Sequence, residues 1–291
     1  MLADAIRAES FRLSKSRTTW FWSVFFVPIV SLVLGVIAAW FMQAKETEIM
    51  ASATKLPPEA IAMFGKAPIN MAESLTEAAS KLDNPMLLAF MLIGAATLYA
   101  ADYRWETWRL ISARNGRTNL VIGKIAVTTL LAVVAMLIML LSSVAETLVQ
   151  AAIFKRGLVF QPTGAMFSHF LAFSGLSLLR IVQFTILGLL AATVTRSLLA
   201  ALFVPLVVGV AQFFSPQLFG GMGMTPDHWV PALLNPAAAT DALKAWAEGG
   251  PDAASLPAGM VMKAWICMAL WTLLPAIGAL TWFKRQDLSK E

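Results

Sequence analysis

Charge is scarce in this chain. Asp, Glu, Lys and Arg make up 13% of its 291 residues, against about 25% in an ordinary soluble domain. With 58% hydrophobic residues and a mean hydropathy of +0.72, that shortage excludes the usual soluble classes and indicates a polytopic membrane protein. Cysteine occurs once, at Cys267 inside an apolar run, which excludes an intramolecular disulfide and a cysteine-based metal cluster. The two histidines, His169 and His228, are too few for a His-rich metal centre. No Gly-x-x-x-x-Gly-Lys-Ser/Thr loop is present, so the chain should not bind ATP by itself. There is no low-complexity tract and no obvious internal repeat. The net charge of +5 is small and unevenly spread, so it reads as a topology signal and not as a nucleic-acid footprint.

What remains is apolar sequence in long runs. About 20 such residues cross a bilayer. Spans are expected at about 19–42, 86–103, 125–154, 165–195, 197–214 and 260–283, in a single all-α transmembrane domain covering 1–291. The first run is too long for a signal-peptide core and lacks a convincing cleavage site, so it should be retained. The segments 43–84 and 215–259 are polar and acidic, as expected outside the membrane. Asn84-Pro85 suits a helix start, with Asn as cap and Pro in the first turn. The basic residues concentrate in 1–18, 104–124, Arg196 and the Lys284-Arg285 pair, which places both ends on the cytoplasmic side. Lys155 and Arg156 are an exception in an outer loop. The first 18 residues carry Leu2, Ile6, Phe11 and Leu13 against Arg7, Arg12, Lys15 and Arg17. They read as an interfacial helix, or as a basic flank that orients the first span, and the two readings are compatible.

The stretch from Ala101 to Lys124 organises the rest. It holds Arg104, Arg109, Arg114, Arg117 and Lys124 against Asp102 and Glu106. Trp105, Trp108 and Ile111 recur every three residues and would share one face of a short helix over 104–114. Asn115-Gly116 should end that helix with a positive φ. An aromatic and basic helix at the mouth of a bundle suits docking against another protein. Membrane anchoring by Trp and Arg is the alternative.

Few other residues invite a chemical role. Glu146 and Arg180 are the ionisable residues set well inside spans, and such groups usually have a partner. Counting about 1.5 Å per residue puts them at similar depth, so an ion pair between the third and fourth spans is expected. Met222, Met224 and His228 could together bind Cu(I). An apolar interface loop is the plainer reading of that segment, and no metal site is expected.

The island resembles a pattern in permease subunits of ABC-2 type exporters: acidic-x-x-x-Gly-Thr-x-Arg-x-Leu-Leu, then Pro-x-x-Arg and a Lys seven residues on. Asp102, Thr107, Arg109, Leu110, Ile111, Arg117 and Lys124 match it, while Glu106 and Asn115 depart from it. Glu9 in the basic first helix and the ending Phe283-Lys284-Arg285-Gln286-Asp287 are also similar to that family. The resemblance implies a six-helix, type-2 ABC exporter-like membrane fold in a bacterial inner membrane. It implies a second permease chain, identical or not, beside this one. It implies a separate ATP-binding subunit that carries ATP and Mg and docks on a coupling helix at 104–114. Arg104, Trp105, Thr107, Trp108, Arg109, Arg114 and Arg117 would form that surface. Pro236 to Glu248 resembles the family's re-entrant element before the sixth span. Export of a hydrophobic or amphipathic cargo is then expected. Two other classes compete: an intramembrane enzyme, for which Glu146 and Arg180 are thin material, and a non-transporting scaffold, assembly or immunity factor.

Overall fold

A computed structural model describes residues 2–46, 67–104, 108–112 and 115–286. Within them the chain is almost wholly helical. Five helices are long and apolar enough to cross a membrane, or six if one bent pair counts as a single span.

Helix α1 (Leu2–Lys15) has Asp4 in its first turn and Arg12 and Lys15 in its last, as the helix dipole favours. Its buried stripe is Ala5, Glu9 and Leu13. Phe11 is 65% exposed while Leu13 is buried, so the apolar side expected from residue type divides between the bundle and the outside. α2 (Arg17–Ala44) follows one residue later. The Trp20 indole N–H donates to Leu13 O at 3.0 Å and satisfies an end carbonyl of α1. Residues Phe21–Phe25 widen into a π-turn. Pro28 has no N–H to offer the Val24 carbonyl, so the turn ahead of it opens. Ser23 donates from there to Phe90 O at 2.9 Å and joins α2 to the second span.

The expected first outer loop is helical in part. α3 (Met71–Ser80), capped by Asn70, meets α4 (Pro85–Arg104) at a 62° bend. Asn84 Oδ1 accepts from Leu87 N at 2.9 Å and so caps α4. α4 forms the centre of the bundle: Leu87, Met91, Leu92, Ala95 and Tyr99 are fully buried. After the short α5 (Trp108–Ser112), α6 (Arg117–Ile153) runs for 37 residues and begins well before the apolar run does.

Lys155 and Arg156 now have a reason. Arg156 Nε donates to Ala67 O at 2.7 Å. Beside it, β1 (Ile69–Asn70) pairs in parallel with β2 (Leu158–Val159). Arg156 and the strand pair staple the segment before α3 to the one after α6.

α7 (Gly164–Thr195) and α8 (Leu198–Gly221) are joined by a tight turn at Arg196. The apolar stretch of α7 is 61% buried and that of α8 is 17% buried, so α7 is an inner helix and α8 a peripheral one. The second polar segment folds into α9 (Trp229–Leu234), α10 (Pro236–Glu248) and α11 (Gly250–Ser255), and α12 (Met260–Arg285) closes the bundle. α10 packs on α7 and α12. Lys244 ties it to the α3–α4 bend, 2.5 Å from Asp83 and donating to Ser80 O at 2.6 Å.

At Gly188, a Cβ would lie 2.9 Å from Ala201 O, whereas at Gly175 on the same helix it would meet nothing within 4 Å. Gly188→Leu therefore overpacks the α7–α8 crossing and costs about 1–3 kcal/mol. Thermal unfolding of the detergent-solubilised protein should show a lowered midpoint for Gly188→Leu and none for Gly175→Leu.

Candidate functional site

The basic end of the bundle is built around four charged side chains from three helices. Lys124, on the first turns of α6, is 1% exposed, Asp102 at the end of α4 is 0% exposed, and Glu9 on α1 is 5% exposed. Lys124 Nζ lies 2.6 Å from Asp102 Oδ2 and 2.9 Å from Glu9 Oε1. It also donates to Leu98 O at 2.7 Å. Arg12 reaches Asp102 Oδ1 at 2.8 Å and Glu9 Oε1 at 3.3 Å. Burial disfavours the charge on Arg12, but Asp102 and Glu9 together hold its pKa above the ordinary arginine value. Two acids and two bases make the set neutral, which is the condition for keeping such charges out of water.

The local sequence explains how these residues meet. Ala5, Glu9 and Leu13 share one face at a spacing of four, and Gly123 lets α1 approach α6 closely. A Cβ there would sit 3.1 Å from Ala5 Cβ. Tyr99 OH pairs with Thr128 Oγ1 at 2.7 Å one turn deeper and extends the α4–α6 contact into the membrane.

The island helix sits directly on this cluster. Trp108 is 3% exposed. Its ring lies 5.3 Å beneath the Lys124 ammonium, 4.3 Å from Phe283 and 5.5 Å from Tyr103. Ile111 packs against the same core. The expectation that Trp108 belongs to a docking surface is therefore corrected. A ring of that size beside a buried cation lowers the energy of both by turning inward. Arg117 is corrected too. Its guanidinium donates to Phe283 O, Lys284 O and Gln286 O at 3.2, 2.9 and 2.7 Å, capping the carbonyl end of α12. Gln286 completes the joint by donating to Thr193 O at 2.5 Å and accepting from Tyr103 OH at 3.1 Å. Gly116 has φ −61°, not the positive value expected, and caps the start of α6 in an extended conformation. Trp105, Thr107 and Arg114 lie outside the described residues. Arg104 ends α4 and Arg109 lies in α5.

The other candidates separate. The expected Glu146–Arg180 pair does not form. Arg180, 5% exposed, donates to Gln212 Oε1 on α8, while Glu146 accepts from Gln150 at 3.1 Å and lies against Gly35 of α2. Counting residues fixes depth but not rotation about the helix axis, and the two side chains leave their helices in different directions. His228 uses Nδ1 to cap α9 by accepting from Val230 N at 3.3 Å. Met222 is 62% exposed. Among the described residues no group of three His, Cys, Asp or Glu could hold a metal.

Sequence reasoning gave Asp102 and Lys124 only as matches to a pattern, and it missed Arg12 and Gln286 as partners. The signal was present: opposite charges at facing ends of adjacent spans, where lone charges are costly. A family model described as ABC-2 family transporter protein matches residues 7–288. No curated protein matches the chain.

Lys124→Met removes the buried ammonium from between Glu9 and Asp102 and should destabilise by about 3–5 kcal/mol. Asp102→Asn combined with Lys124→Met leaves a neutral Glu9–Arg12 pair and should recover much of that loss. Thermal melts of the wild type, the two single variants and the double variant measure the coupling, and strictly additive losses would contradict a mutually dependent cluster.

Proposed function

The chain belongs to the ABC-2 family of transporter proteins, multi-pass membrane components of ABC transporters, and from that premise we propose that it forms a translocation pathway driven by a separate ATP-binding subunit. The observation that carries the reading is the seating of Trp108 on the Glu9–Arg12–Asp102–Lys124 cluster. A force on the island helix reaches α1, α4 and α6 through ion pairs and α12 through Phe283 and Arg117. It need not cross a flexible loop. The inward face of α5 fastens it to the bundle. The ATPase would dock on the island through Arg104, Trp105, Thr107, Arg109 and Arg114.

ATP hydrolysis then belongs to the partner, with its ATP and Mg. A second permease chain completes the pathway. The island, the C-terminal end of α1 and the last turn of α12 meet at one basic end, which supports a cytoplasmic position for all three. Lipid-facing apolar surfaces on α2 and α8, including Ile29, Leu34, Phe203 and Val207, suit a cargo that is itself hydrophobic or amphipathic, moved outward.

Co-purification with the ATPase encoded beside this chain tests the reading. The wild type should bind it and raise its ATP hydrolysis. Arg104→Gln/Arg109→Gln should reduce that stimulation about 5-fold or more, as expected for a coupling free energy above about 1 kcal/mol, with the thermal midpoint unchanged. Trp108→Ala should lower both stimulation and midpoint, and Trp108→Phe should restore most of the midpoint. A wild type that neither binds nor stimulates the ATPase would move the scaffold reading to the front.

A further inference from the structure

Among the described residues three basic side chains are buried: Lys124 at 1%, Lys244 at 8% and Arg180 at 5% exposed. Lys124 touches Asp102 and Glu9, and Lys244 touches Asp83. Among the described residues Arg180 touches no carboxylate. Midway along α7, its guanidinium donates to Gln212 Oε1 on α8 and lies over the Phe184 ring at 5.7 Å. Asp83 is engaged by Lys244, and Asp241 on α10 is exposed, so neither meets the guanidinium at contact. A guanidinium stays charged at neutral pH and offers several N–H donors. A buried charge without a counter-ion is costly, and an ionisable side chain inside a span marks a functional site. The Gln212 oxygen fills one position of the fork and brings no charge to it.

The wall opposite Arg180 is built on an interrupted turn. Pro216 has no N–H to offer the Gln212 carbonyl. Ser215 Oγ donates to that carbonyl at 2.9 Å and Asn235 Nδ2 at 3.1 Å instead. Asn235 is 5% exposed and also caps α10, accepting from Ala237 N and Ala238 N. Gln212 is therefore carried on a part of α8 whose own ladder is broken, and helices bend at such places. One turn away, Phe184 packs on Gly209, where a Cβ would lie 3.2 Å from the ring. The seam between α7 and α8 is closed by that ring and by one neutral carboxamide on a cation.

The outside of the seam says what would carry an anion to it. Val207, Val210, Phe213 and Phe214 of α8 are exposed. A group that reaches Arg180 past α8 crosses apolar surface, and an oxyanion on a hydrocarbon tail gains from that surface where a small inorganic anion does not.

We propose that Arg180 selects the cargo. It receives the oxyanion, carboxylate or phosphate, of an anionic amphiphile, which displaces Gln212 Oε1 as α8 bends at Pro216. The proposal rests on the permease reading above and narrows its cargo to anions. A guanidinium takes either oxyanion in two parallel hydrogen bonds.

Native mass spectrometry of the full chain in detergent tests this, with oleate, oleoyl lysophosphatidic acid, monoolein and oleylamine as probes. The wild type should retain the two anions over monoolein and oleylamine by about tenfold or more, the size expected of hydrogen bonds to a charged group. Arg180→Gln should abolish the preference with the thermal midpoint held or raised, because a neutral amide beside Gln212 leaves no buried charge. Arg180→Lys should keep part of the preference, having the charge without the fork. Gln212→Leu removes the competing oxygen and should strengthen it several-fold. Arg17→Gln, at an exposed position, should leave it unchanged. Retention of only one anion would support the site and assign its oxyanion. A wild type without preference, a preference kept by Arg180→Gln, or one lost in Arg17→Gln would overturn it. Because the chain alone is probed, a failure here leaves the ATPase coupling standing, and a failure of coupling leaves the binding result standing.

Discussion

Lys124 is the constraint on which the basic end depends. An ammonium that is 1% exposed is tolerable only with full compensation, because the desolvation of one ion costs several kcal/mol. Here it has two carboxylates, a backbone carbonyl and an aromatic face. They come from three helices: Glu9 from α1, Asp102 and Leu98 from α4, Trp108 from α5. None of these elements can move far alone without stranding a buried charge. The charge set therefore favours a concerted displacement of the whole end over a local one.

How much of this was legible in the sequence depends on which coordinate is meant. The places of the apolar helices along the chain were readable, because long hydropathic runs report them directly. Helices cover each of the six apolar runs. Rotation about each helix axis was not readable. Glu146 and Arg180, paired by residue counting, found other partners, and Trp108 turned inward although its spacing alone allowed either face. The bend between α3 and α4 was hidden for a different reason. Met71–Ser80 is rich in Ala, Glu and Thr, so its composition reads as outer loop even though it packs on α7. Asn84 and Pro85 announced the start of α4, and nothing nearby announced a helix before it. The partners of Asp102 and Lys124 were implied by the cost of burying them, but their identity needed the approach of α1 to α6 that Gly123 permits.

The opposite end repeats the same logic with fewer charges. Lys244 on α10 is 8% exposed and is fixed to Asp83 and to Ser80 O at the α3–α4 bend. Deeper in, Arg180 donates to Gln212, and Asn235, the cap of α10, donates to Gln212 O at 3.1 Å and to Ser215 Oγ at 2.8 Å. One chain of polar contacts therefore runs from α7 through α8 to the start of α10, and from α10 back to α4.

These two polar joints share α4 and α7. At the basic end α4 contributes Asp102 and Tyr103, and α7 contributes the Thr193 carbonyl. At the other end α4 begins at the bend that Lys244 grips, and α7 carries Arg180. Between the joints most of the packing is apolar, through Leu92, Ala95, Ile181 and Phe184, with isolated hydrogen bonds from Tyr99 to Thr128 and from Gln183 to Met268 O. Apolar packing has no directional bonds to break and tolerates sliding better than a buried ion pair does. A bundle pinned by charges at both ends and packed by hydrocarbon between them transmits displacement along α4 and α7 as rods. The peripheral α2 and α8 are fastened to this frame by single polar contacts, α2 through Thr19, Ser23 and the Pro28 carbonyl and α8 through Gln212 and Ser215.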